Sequence, residues 1–198
     1  MLSQTSRISA NKLFSRCFSL ESHRALGAEK DSQYPGLYYY QYQKEGLKPA
    51  SYLSFVPPSR LGKDAILSPK QIIAKIPDLP KGMLSKNIPA SEFSGNSSFM
   101  KQVQEFLKKS VAISDRNLIA LAQYQKQGWL HIGDNRNPPP SGRIPDPEDI
   151  FGSILAVDGL MLQDTYQPMP AHRPLTSQNG LFQLPEGLRE LLLKELLQ

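Results

Sequence analysis

The stretch IFGSILAVDGLMLQDTY, residues 150–166, decides the fold class of this chain. Two apolar runs flank Asp158-Gly159, and a two-residue Asp-Gly link is the signal of a type I′ turn joining antiparallel strands. A hairpin near 150–166 follows, and with it an antiparallel sheet. Upstream the period changes. Phe99, Val103, Phe106 and Leu107 fall at i, i+4, i+7 and i+8, the apolar stripe of an amphipathic helix over about 99–109. Ser114 is placed to cap a second helix over about 115–127, with Leu118, Leu121 and Ala122 on one stripe and Gly128 at its C-terminal end. Residues 110–114 would join this helical pair. Downstream, Asn179-Gly180 marks a weaker hairpin between 173–176 and 181–184. Pro185 then opens a C-terminal helix, PEGLRELLLKELLQ.

The first half is less regular. In GLYYYQYQKEGLKPASYLSFVPPSR (36–60), aromatic and β-branched residues flank a Gly/Pro loop, which predicts a hairpin of about 37–43 with 51–56. Pro57-Pro58 ends the second strand. Ser68-Pro69 reads as an N-cap and first-turn proline, opening a short helix to about Ile76. Residues 19–36 read as a flexible leader and 77–97 as loop. The fold expected is α+β: a small antiparallel sheet, with hairpins near 150–166 and 37–56, packed with the helical pair and the C-terminal helix. The organisation expected is a presequence over 1–18, an extended arm over 19–97 carrying the hairpin and short helix, and a compact α+β domain over 98–198.

The first eighteen residues, MLSQTSRISANKLFSRCF, read as an address. Arg7, Lys12 and Arg16 precede the first acid, Glu21, amid five hydroxyl residues. Ala10, Leu13, Phe14, Cys17 and Phe18 recur at helical spacing, with Lys12 and Arg16 one turn apart on the opposite side. Basic, Ser-rich and acid-free, the segment has the character of a mitochondrial transit peptide. Arg16-Cys17-Phe18, followed by Ser19, resembles the Arg-x-aromatic site of the matrix processing peptidase.

Removing that segment changes the charge. The whole chain carries 23 basic and 18 acidic residues, a net +5. From Ser19 onward the balance is 20 against 18, about +2, so the excess is mostly targeting charge. A near-neutral mature chain argues against general nucleic-acid binding. The single cysteine, Cys17, lies in the presequence, which leaves a mature chain without disulfide, thiolate nucleophile or cysteine metal site. No apolar run approaches the ~20 residues of a membrane span.

The densest polar group surrounds the proline-rich segment GDNRNPPPSGRIPDPED. As a pocket it would use His131 and His172 as acid/base groups, with Arg136, Arg143 and Arg173 holding an anion. As structure, Asp134, Asn135 and Asn137 would shape turns while Arg143 and the prolines clamp the segment over Trp129. The structural reading is favoured. Pro138-Pro139-Pro140 reads as a stiff polyproline II connector. His131-x-x-Asp134 lacks the helical context and third ligand of a metal motif, and no cofactor motif is present. Tyr38, Tyr39, Tyr40 and Tyr42 form a candidate recognition surface. Leu192 and Leu196 belong to a terminal helix with more leucine than a one-sided surface helix needs.

Two functions follow from these residues. One is a non-catalytic accessory or interaction protein of the mitochondrial matrix, a subunit or assembly factor whose partners are other mitochondrial proteins in a large complex. The alternative is a small enzyme or anionic-ligand-binding protein with its His/Arg site at loop 131–143.

Overall fold

The Asp158-Gly159 turn is formed as its sequence requires: in the computed structural model both residues have positive φ, 52° and 79°. They link β7 (Ile150–Val157) to β8 (Leu160–Pro168). The structure describes residues 18–62, 64, 66–77, 88–140 and 142–198. The presequence helix up to Cys17 therefore lies outside the described residues, as does most of the expected loop over 77–97. Two compact units divide the chain. The first takes in described residues 18–77 and 91–100, and the second 88–90 and 101–196.

The first unit is built on a five-stranded antiparallel sheet in the order β1-β2-β3-β4-β5. Its strands are β1 (His23–Lys30), β2 (Tyr38–Lys44), β3 (Ala50–Ser54), β4 (Ala74–Pro77) and β5 (Ser94–Gly95). The expected 37–56 hairpin is β2–β3, with Tyr40 opposite Tyr52. Two expectations are corrected here. The 19–36 leader contains β1, which pairs from His23 to Lys30 with the tyrosine strand, Leu26 excepted. The helix after Ser68-Pro69 stops at one 3-10 turn, Pro69–Gln71, although its capping box does form. The chain then extends into β4, because Ile73 N–H donates to Leu53 O and Ala74 pairs with Leu53. An extended arm over 19–97 is thus replaced by a sheet with its own core of Tyr40, Tyr42, Tyr52, Leu53, Phe55 and Phe99.

Next come α1 (Ser97–Ser114) and α2 (Arg116–Gln125). The helical pair is real but its joint is not 110–114. The first helix runs through that stretch, and the cap is Asp115, whose carboxylate accepts from Asn117 and Leu118 N–H. At the other end the cap is Lys126, with φ of 67°, two residues ahead of Gly128, whose φ of 117° is also positive. Leu118 and Ala122 are buried, whereas Leu121 is exposed and so leaves the expected stripe.

The second unit holds the three-stranded sheet β6-β7-β8, where β6 is Gly128–Gly133. It also holds the small β9 (Leu175–Thr176) and β10 (Gly180–Leu181) ladder at Asn179-Gly180, and the C-terminal helix α3 (Glu186–Leu196). Leu130, Ile132, Ile154 and Ala156 are buried on one face of the sheet. Gln104 of α1 bonds there to Phe151 O and accepts from the Tyr166 hydroxyl. The chain is α+β. Among the described residues no helix is long and apolar enough to cross a membrane.

Candidate functional site

Asp134 follows β6 immediately, and Asp149 closes a 3-10 turn ahead of β7. Antiparallel pairing of β6 with β7 brings these two acids together, with Asp134 N–H donating to Asp149 O. Between them in space lies Arg136, whose side chain is fully buried. Its Nε donates to Asp149 Oδ1 at 2.7 Å and stands 3.3 Å from Asp134 Oδ2. The remaining guanidinium nitrogens reach the carbonyls of Glu148, Pro174 and Gly180. Asn137 donates to the second oxygen of Asp149. Asp134 is met by the N–H groups of Arg136 and Gln183 and by His172 Nε2 at 3.3 Å.

Two carboxylates and a guanidinium out of water are tolerable only when nearly every lone pair and proton has a partner. Here they do. The cluster ties four chain segments, 134–137, 148–149, 172–174 and 180–183, into one irregular end of the unit. Chemically it is a clamp: a guanidinium with four hydrogen bonds to its own fold has no free fork for a carboxylate or phosphate.

Of the sequence candidates only Arg136 and His172 are brought together, each 3.3 Å from Asp134 Oδ2. His131 lies on β6 and its Nδ1 bonds Ser153 Oγ at 2.8 Å, directly across the ladder. His172 instead packs its ring against Phe151, centroids 4.4 Å apart, and bonds Asp134. Arg143 and Arg173 are exposed. Arg136, not Arg143, holds the irregular segments together, and Trp129 is not covered but exposed. Among the described residues no group of three or more His, Cys, Asp or Glu side chains is placed to hold a metal ion.

The interaction candidates also move. Tyr40 and Tyr42 are buried and stack on one another, and only Tyr38 and Tyr39 keep partial exposure. Burial raises the pKa of the Tyr40 hydroxyl, with a smaller push from Tyr42 and Tyr38, and carries that of Tyr42 to about 12. The Tyr40 hydroxyl donates to Val56 O and the Tyr42 hydroxyl accepts from Leu67 N–H, so both are core anchors. Leu192 and Leu196 are buried with Leu188 along α3 and present no free face.

What composition and motifs missed is the outer face of the β6–β8 sheet. Trp129 lies opposite Leu155, Leu155 opposite Leu162, and Val157 opposite Leu160. Directly paired residues share a face, so these five form one apolar surface, bordered by His131 and Ser153. Trp129 is 45% exposed, Val157 37%, Leu160 69% and Leu162 42%. A signal was present. ILAV and LML are apolar at consecutive positions, which a one-sided sheet does not need.

No family model, curated protein or solved structure matches this chain.

Proposed function

We propose that this chain is a non-catalytic accessory or interaction protein of the mitochondrial matrix, a subunit or assembly factor of a larger complex. The observation that carries the reading is the outer face of the second sheet. Contiguous apolar surface around an exposed tryptophan marks a place where protein binds protein. The saturated Arg136 cluster supports it from the other side, since it holds an irregular end of the unit in shape and keeps no donor fork for a small anion. The matrix address rests on the basic, acid-free residues 1–18. Processing behind Phe18 would remove a ring that is buried in the first unit.

Sedimentation of the tagged full chain from gently lysed mitochondria tests the interaction. The expected result is migration with a heavy complex whose partners are identified by mass spectrometry. A Trp129→Ser/Leu162→Ser chain with an unchanged melting temperature is expected to shift to the light fractions. Light migration of the wild-type chain would overturn the reading. The address is tested separately by a fluorescent fusion. Replacing Arg7, Lys12 and Arg16 with glutamate is expected to leave the fusion in the cytosol, and unchanged import would contradict a presequence.

A further inference from the structure

The first unit has an edge of its own. β1 is an eight-residue strand that among the described residues is paired on one side only, at the end of the sheet order, and six of its residues are exposed. Its register with β2 slips between Ala25 and Gly27, leaving Leu26 as a bulge. That slip decides which side chains share a face. Arg24 pairs with Gln43 and Glu29 with Tyr39. Gln43 and Tyr39 are an even number of residues apart on β2, so Arg24 and Glu29 lie on the same face although five positions separate them. In a strand without the bulge they would lie on opposite faces.

We propose that β1 pairs antiparallel with β1 of a second copy of this chain, about a two-fold axis normal to the sheet between Leu26 and Gly27. In that register Arg24 faces Glu29 of the second copy, and Glu29 faces its Arg24. Ala25 faces Ala28, and Leu26 faces Gly27. Charge and size are both self-complementary, as an isologous contact requires. Neither Arg24 nor Glu29 has an ion-pair partner among the described residues. Leu26 is 44% exposed, and Gly27 has nothing within 4 Å of where a Cβ would stand. Beside Gly27, on the face of Arg24 and Glu29, is a shallow 210 Å³ depression lined by Leu26, Gly27, Ala28, Glu29, Tyr39 and Gln41. The leucine of the second copy fits over it.

A bulge spoils an edge for an arbitrary strand. A second copy brings the same extra residue to the same place, so the two irregularities meet at the axis and the ladder closes on either side. The outer pair is His23 with Lys30. Burial, with Lys44 and Lys75 nearby, lowers the His23 pKa below the usual histidine value, so near neutral pH this pair adds no like-charge repulsion. Residues 23–30 lie in the first unit, so this contact does not depend on the function proposed for the second sheet.

Analytical ultracentrifugation of the purified full chain over a wide concentration range tests it. The expected result is a reversible monomer–dimer equilibrium. Arg24→Glu and Glu29→Arg alone each convert attraction to repulsion at both symmetric pairs and are expected to raise Kd about tenfold or more. The Arg24→Glu/Glu29→Arg double variant restores the pairs and is expected to return Kd to near the wild-type value. Both residues are exposed, so unchanged melting temperatures are expected for all three. A wild-type chain that stays monomeric overturns the proposal, as does a dimer indifferent to the single variants or a double variant no tighter than the singles. A dimer through the outer face of the second sheet falls under the indifferent outcome.

Discussion

Arg136→Ala is expected to cost about 3–5 kcal/mol of folding stability, the range for removing one partner of a buried ion pair. The substitution leaves the buried carboxylates of Asp134 and Asp149 without the guanidinium between them, and it removes one hydrogen bond from each of the carbonyls of Glu148, Pro174 and Gly180. A domain of ordinary stability has about 5–15 kcal/mol in all, so this one change removes a large part of it. Arg136→Lys keeps the charge and is expected to recover only a fraction. A lysine offers three donors from one point, whereas the four bonds here leave a planar fork in three directions. Urea denaturation of the three chains checks this. A loss below about 1 kcal/mol for Arg136→Ala would mean the cluster is wet and is not the clamp described above.

Gly152→Ala is the second large effect, and its cause is purely steric. A Cβ at this position would stand 2.6 Å from the Tyr166 hydroxyl and 2.7 Å from the Gln167 carbonyl oxygen. Tyr166 is held by Gln104 of α1 and Gln167 by the β7–β8 ladder, so neither has room to retreat. Overpacking typically costs about 1–3 kcal/mol, and the backbone carbonyl in the way puts this site at the upper end. The same denaturation experiment reads it. A change within about 0.5 kcal/mol, the scatter of neutral surface substitutions, would contradict the packing of Tyr166 over β7.

These two residues also show where the sequence was legible. Asp158-Gly159 spoke for itself, because its turn is a property of two adjacent residues. The helices were readable because 3.6-residue periodicity is local, and Asp115 displaced Ser114 as the cap by a single position. β1 was not readable. HRALGAEK has neither β-branched nor aromatic residues and becomes a strand only because β2 offers it a ladder. Alternation puts Tyr40 and Tyr42 on one face, but the backbone partners of their hydroxyls, Val56 and Leu67, lie 16 and 25 residues away. The sequence marks Arg136 as an anion holder but does not show that it bonds to its own fold. Its chief partner, Asp149, is thirteen positions distant, and only the β6–β7 pairing brings it near. Gly152 carried a real signal, a glycine inside an apolar strand, which commonly marks a close approach.

In the function proposed above, the outer face of the β6–β8 sheet docks another protein. The most direct measurement places a photo-reactive amino acid at Leu162, and separately at Glu45 on the exposed β2–β3 turn, then irradiates intact cells expressing each full chain. The expected result is a discrete adduct with another protein from position 162 and none from position 45. No adduct from position 162, or the same adduct from both positions, would contradict it.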